Sequence, residues 1–278
     1  MSTELLATLD ARRRERKLLV PYLMAGIPDP ASFPDALGAV AAHADAIEVG
    51  LPYSDPLMDG PVIAAAGERA LRAGVGPLEA LDLVRDAAGS APRLAMTYYN
   101  PIHRTGEDDF CRRAANAGFL GLIVPDLPLD ESAGLRRAAA DAGLAWVPLV
   151  APTTAPERVR RIADTATGFV YAVSTLGVTG TRDELAAGAA RVVEACRAAT
   201  DLPVLVGIGV SSPEQARVAA AVADGVVIGS AVVRLVVEEG PEAARSFLAQ
   251  VRAALDGAPR DTDGSGARGP PTGAARAR

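Results

Sequence analysis

Asp45-Ala-Ile-Glu-Val-Gly-Leu-Pro-Tyr-Ser-Asp-Pro-Leu-Met-Asp-Gly-Pro61 decides how the rest of this chain is read. Residues 46–50 form a short apolar run. Side chains alternate across a strand, so Ile47 and Val49 share one face and Glu48 takes the other. A carboxylate in the middle of an apolar strand is costly unless something pairs it or uses it. The strand breaks at Pro52 into a loop that carries Asp55 and Asp59 and ends at Gly60-Pro61. A carboxylate on a rigid strand and another on the loop after it can face one small pocket. That makes Glu48 and Asp59 the candidate acid/base pair of an enzyme. Each also has a plainer reading. Glu48 fits a buried carboxylate held by backbone donors or a distant arginine, and Asp59 fits a turn residue before glycine.

Outward from this stretch the same unit recurs. Apolar strands are expected at 18–24, 46–50, 94–98, 120–124, 145–150, 168–173, 203–206 and 225–228. Helical patterns lie between them, at 31–43, 62–73, 77–88, 107–117, 130–142, 156–165, 183–199 and 213–222, with a last one over 231–256. Residues 2–16 read as a charged helix outside the core, with Arg12, Arg13 and Arg14 on a solvated face, and Asn100-Pro101 to Gly106 reads as a loop. Short, continuous apolar strands suit a parallel sheet buried on both faces. Strict alternation gives a closed (β/α)8 barrel or an open doubly wound sheet. Eight strands in this length favour the barrel, and the first helix lacks the G-x-G-x-x-G of a dinucleotide site. The expectation is an α/β fold: a (β/α)8 TIM barrel with an extra N-terminal helix as one domain over 1–256. The Gly-, Pro-, Ala- and Arg-rich tail, 257–278, is expected to be disordered.

Composition narrows the chemistry. Of 278 residues, 49% are apolar, enough for a full core, and the net charge of −6 argues against general nucleic-acid binding. No stretch reads as a signal peptide or a membrane span. Cys111 and Cys196, far apart in helical patterns, read as packed free thiols of a reducing cytosol, so a cytoplasmic location is expected. Lys17 is the only lysine, and His43 and His103 are the only histidines, neither with metal-ligand spacing. A Schiff-base lysine, a zinc site and a P-loop are therefore poorly supplied, no metal is expected, and carboxylates are the available acid/base material.

In a barrel the loops at the carboxyl ends of the strands build the site. The last three such loops carry Gly177-Val-Thr-Gly180, Gly207-Ile-Gly209 and Gly229-Ser230. One glycine pair is a tight turn; three on successive strands favour a phosphate site made of backbone N–H groups and a helix N-terminus. Tyr98 and Tyr171, at strand ends, suit core packing and pocket lining equally, and Asp126 suits a helix cap or a brace for the pocket.

Pro52-Tyr-Ser-Asp-Pro-Leu-Met-Asp-Gly-Pro61, with Glu48 ahead of it, closely resembles the signature of the tryptophan synthase alpha chain family. Val20-Pro-Tyr-Leu23, Pro125-Asp-Leu-Pro128, Gly177-Val-Thr-Gly180, Gly209-Val-Ser-Ser-Pro-Glu-Gln215 and Gly229-Ser-Ala231 follow in family order over roughly residues 1–256. The resemblance implies retro-aldol cleavage of indole-3-glycerol phosphate to indole and glyceraldehyde 3-phosphate. Glu48 would make both proton transfers, and Asp59 would accept a hydrogen bond from the indole N–H. Tyr22, Tyr98, Ile123 and Tyr171 would line the indole pocket. Gly180, Ile208, Gly209, Gly229 and Ser230 would hold the phosphate, Asp126 would brace the site, and Thr179 would position loop six on closure. Loop six and the loop around Asp55 and Pro56 would meet a beta chain carrying pyridoxal phosphate, in an alpha2beta2 tetramer; this chain itself would need no cofactor. Departures from the family pattern are Ala64 for a usual Gln, Met58 for a smaller residue, Tyr22 and Ile208 where Phe is frequent, and Thr175 for a common Arg. The alternatives are a free-standing lyase that releases indole and a non-catalytic scaffold paralogue.

Overall fold

The structure, a computed structural model, describes residues 3–87, 91–173, 182–207 and 209–257. The expected tail lies outside these residues, apart from Gly257. Nine parallel strand segments make one sheet: β1 (Leu18–Met24), β2 (Ile47–Gly50), β3 (Arg93–Met96), β4 (Phe119–Ile123), β5 (Ala145–Trp146), β6 (Leu149–Val150), β7 (Val170–Val173), β8 (Val204–Gly207) and β9 (Gly225–Ile228). Their order is β5-β4-β3-β2-β1-β9-β8-β7-β6. The two ends of that order are consecutive in the chain, so one strand closes the ring and the sheet is the expected (β/α)8 barrel.

The strand expected over 145–150 is therefore two segments. Its first half pairs with β4 and its second with β7. Pro148 at the joint has no N–H to give either neighbour. The Val147 N–H still donates to the Leu122 carbonyl, and the Pro148 carbonyl accepts from the Tyr171 N–H, so the crossover keeps its hydrogen bonds.

Three other expectations are corrected. The segment read as a loop after the third strand is a helix, Tyr99–Thr105. Pro101 lies in its first turn, where a missing N–H costs nothing, and Asp126 accepts the Tyr99 N–H at 2.9 and 3.2 Å. The last helical pattern is two helices, Ser230–Glu238 and Pro241–Asp256, parted by Gly240 at φ +92°. The N-terminal helix, Glu4–Glu15, is not outside the core: Leu5 and Leu9 are fully buried. They pack with Leu18, Val20, Leu94, Phe169 and other inward residues, so this helix plugs the lower end of the barrel. Nor are its arginines simply solvated. Arg12 donates to the Asp45 carbonyl and Arg13 to the Asp201 carbonyl.

With the lower interior filled, the space left for a ligand is at the carboxyl ends of the strands. Leu18 and Val20 on β1 and Ala46 just ahead of β2 belong to the interior cluster, and the two-residue strand period carries the same face on to the register partners Tyr22 and Glu48. Cys111 and Cys196 are buried free thiols, as expected. No helix among the described residues is long and apolar enough to cross a membrane.

Candidate active site

Glu48 is the middle of the site. It lies on β2 between Tyr22 of β1 and Leu94 of β3 in the strand register. The residue is 1% exposed, and its Oε2 is buried with no hydrogen-bond partner among the described residues. No arginine pairs with it among those residues. Burial, and after it the charge of Asp59, push the Glu48 carboxyl up to about 8. A carboxyl in that range is protonated at neutral pH and still able to ionise, which suits a group that both gives and takes a proton.

Asp59 is half-buried on the loop after β2. Burial raises its pKa, and a hydrogen bond with the Tyr98 side chain works against that rise. Tyr98 also accepts the Met58 N–H on its hydroxyl at 2.9 Å. The ring of Tyr53 lies 5.3 Å from that of Tyr98, and the Asn100 side chain donates to the Tyr53 hydroxyl at 2.8 Å. The loop bearing Asp59 is thus tied to the start of the helix after β3, whose first N–H Asp126 holds. Asp126, expected as a cap or a brace, caps that helix and so steadies Tyr98 next to it.

Tyr22 and Tyr171 flank Glu48 by one device used twice. Each leans across a glycine on the next strand, two register positions ahead: Tyr22 over Gly50 and Tyr171 over Gly207. A Cβ at Gly50 would stand 1.8 Å from the Tyr22 hydroxyl, and one at Gly207 would stand 2.4 Å from the Tyr171 hydroxyl. Burial raises the pKa of both phenols far above the usual range, and the charge of Glu48 adds to each. Ile123 is fully buried in the interior cluster that also touches Tyr171. Glu48, Asp59, Tyr22, Tyr98 and Tyr171 are therefore one electrostatically coupled group.

Gly229 is the N-cap of the helix Ser230–Glu238, with Ser230 as its first residue, so free backbone N–H groups stand at the end of β9. Gly209 is exposed, and a Cβ there would meet none of the described residues within 4 Å. Packing among the described residues does not require glycine at that position. Thr179 and Gly180, with the rest of the stretch 174–181, and Ile208 lie outside the described residues. Asp55 is exposed on the loop after β2, next to a half-buried Pro56, and the side chains that follow, Leu57 and Met58, are 86% and 56% exposed. A cavity of about 280 Å³ borders this rim between Met58, Asp126, Leu149 and Val173.

Sequence reasoning gave no role to Gly50, Tyr53 and Asn100, and grouped Gly207 with the glycine loops of a phosphate site, whereas it makes room for Tyr171. The signal for the two glycines is a tyrosine two register steps behind on the preceding strand, which is visible only once strand pairing is known. Tyr53 and Asn100 gave no sign of their contact, because it joins a loop to the first turn of a helix 47 residues away in the chain.

The model of the family described as tryptophan synthase alpha chain matches residues 8–258. The tryptophan synthase alpha chain of Carboxydothermus hydrogenoformans is 47% identical over 230 residues, covering 82% of this chain and 86% of that one. The tryptophan synthase alpha chain of a Synechocystis strain is 46% identical over 252 residues, covering 88% of this chain and 96% of its own length. Among solved structures, Mycobacterium tuberculosis tryptophan synthase superposes with a TM-score of 0.85 at 41% identity, covering 92% of this chain and 99% of that one.

Proposed function

The chain belongs to the tryptophan synthase alpha chain family, and from that premise we propose how its own residues carry the family's reaction. That reaction is retro-aldol cleavage of indole-3-glycerol phosphate to indole and glyceraldehyde 3-phosphate, a carbon–carbon lyase step in tryptophan biosynthesis. Cleavage needs a proton on indole C3, so that the ring leaves as a neutral group, and it needs the neighbouring glycerol hydroxyl to lose its proton. Glu48 gives the first proton and takes the second. The observation that carries this reading is a buried carboxyl with an unpartnered Oε2, pushed up to about 8 beside a second carboxylate. Asp59 accepts a hydrogen bond from the indole N–H and offsets the positive charge that grows on the ring. Tyr22, Tyr98, Ile123 and Tyr171 form the walls around the indole.

Gly209, Gly229 and Ser230, with Gly180 and Ile208, take the phosphate. The start of the helix Ser230–Glu238 supports this, as does a glycine at 209 that packing among the described residues does not demand. Because the protonated indole is itself the electron sink, the step draws on no metal and no cofactor of this chain. The partner is a tryptophan synthase beta chain, which would carry pyridoxal phosphate, and the assembly we propose is an alpha2beta2 tetramer in the cytoplasm. The exposed Leu57 and Met58, next to Asp55 and Pro56, support a partner surface at that loop.

The test is indole release from indole-3-glycerol phosphate by the purified chain, alone and with a beta chain. Turnover that rises on adding the beta chain is the expected result; cleavage indifferent to it would make the chain a free-standing lyase. Glu48→Gln should bind substrate nearly as the parent does and lose at least roughly 100-fold in kcat. A fully active Glu48→Gln would end the proposed assignment.

A further inference from the structure

Tyr22 carries a hydroxyl that the fold does not use. The residue is 5% exposed, and the hydrogen-bond partner of its hydroxyl among the described residues is the Met24 thioether at 3.8 Å, a weak acceptor. A phenylalanine would fill the same space without burying a poorly satisfied donor. The hydroxyl is held in a defined place. Tyr22 and Glu48 are direct partners in the β1–β2 register, and the Tyr22 ring runs forward over Gly50 on the same strand as Glu48. Glu48 Oε2 lies buried without a partner. Register partners on adjacent strands thus carry, one, a donor with a poor acceptor and, the other, an acceptor with no donor. The other phenol nearby with a well-defined bond, Tyr98, is already engaged by Met58 and Asp59.

We infer that the Tyr22 hydroxyl is a positioning group for Glu48, donating a hydrogen bond to its carboxylate whenever the proton has passed to substrate and returning to Met24 when the carboxyl is protonated again. The inference rests on the role proposed above for Glu48. Protons balance: Glu48 gives one to indole C3 and regains one from the glycerol hydroxyl, while Tyr22 keeps its own throughout. Burial, with the charges of Asp59 and Glu48, holds the Tyr22 phenol in its protonated form. Among the described residues the other titratable groups that act on or feel Glu48 are Asp59, whose charge opposes ionisation, and the phenol Tyr171; Tyr98 faces Asp59 and Tyr22. A donor to the ionised form works the opposite way to Asp59 and makes the carboxylate accessible during turnover.

Tyr22→Phe isolates the hydroxyl, since the ring over Gly50 is kept. Glu48 ionisation can be followed by the infrared absorption of its protonated carboxyl, identified as the band missing in Glu48→Gln. In Tyr22→Phe that midpoint should rise by about one pH unit, the size expected for losing a hydrogen bond to a charged group. The kcat–pH profile for indole-3-glycerol phosphate cleavage should move with it, while KM stays within about twofold. A midpoint that does not move overturns the inference, and a rise in KM alone would place the hydroxyl on the substrate instead. The two readings fail separately. An active Glu48→Gln removes the assignment of Glu48, whereas an inactive one with an unmoved Tyr22→Phe midpoint removes only the role of Tyr22.

Discussion

A methyl group at residue 50 would stand 1.8 Å from the Tyr22 hydroxyl, and one at residue 207 would stand 2.4 Å from the Tyr171 hydroxyl. Neither glycine has a positive φ, so their purpose is clearance rather than backbone freedom. Gly50→Ala and Gly207→Ala should each drive a phenol off its seat. We expect losses of about 1–3 kcal/mol in stability, typical of overpacking, and a fall of at least tenfold, roughly, in kcat/KM. Thermal melts and steady-state kinetics would check both. Glu48 makes a second prediction at this scale. Its pKa rises from a free glutamate's 4.5 to about 8 in the folded chain, so the folded state holds a proton that the unfolded state has lost between those values. The contribution of Glu48 to stability is full below about pH 4.5 and drains away as pH climbs toward 8. Glu48→Gln, permanently neutral, should therefore be more stable than the parent by a few kcal/mol at pH 8, with the gap closing near pH 4.5. Denaturant titrations at the two pH values would show it, and a gap independent of pH would refute the shift.

Elements meet at Asp45, two residues before the strand that bears Glu48. Its carboxylate is fully buried and accepts from Arg16 at 2.6 and 3.0 Å, from Arg252 at 3.0 Å and from the Leu19 N–H at 2.9 Å. Arg252 also donates to the Lys17 carbonyl at 2.7 Å, so one cluster locks the N-terminal helix, β1, the start of β2 and the last helix together. Removing one partner of a buried ion pair leaves the other charge uncompensated. Asp45→Ala should cost about 3–5 kcal/mol, and Leu9→Ala, which empties part of the plug, about 2–5 kcal/mol. Chemical denaturation measures both, and an Asp45→Ala chain as stable as the parent would show that the cluster contributes nothing. Alternating apolar strands and helices made the barrel legible from residues alone, because burial on both faces leaves an unmistakable apolar run. The plug was legible only faintly. Leu5 and Leu9 have the four-residue spacing of one helix face, but seven charged or polar neighbours on a short helix mask it. Asp45 gave no sign at all, since its partners come from positions up to 207 residues away.

At the scale of the whole molecule, the acidic pair was readable because both members fall in one 17-residue stretch, while the tyrosines that frame it are gathered from three strand ends. Closure of the barrel brings them together, and sequence spacing does not record closure. The same stretch also faces outward. Its loop is folded on itself by backbone bonds, Leu57 N–H to the Asp55 carbonyl at 3.0 Å and Asp59 N–H to the Pro56 carbonyl at 3.3 Å, and it is pinned inside by Tyr98. The Leu57 side chain takes no part in that folding, and 86% of it meets solvent. Exposed leucine on a turn braced from within is the character of a contact point for another chain. Leu57→Ser should thus leave cleavage of indole-3-glycerol phosphate by the chain alone within about twofold of the parent. Covering a leucine contributes about 1.5–3 kcal/mol, so half-maximal stimulation should need on the order of ten- to a hundredfold more beta chain. Titrating the beta chain against indole formation gives both quantities in one experiment. Unchanged demand for the partner would move the interface elsewhere on the barrel, and a fall in the activity of the chain alone would show that Leu57 acts inward, through Asp59.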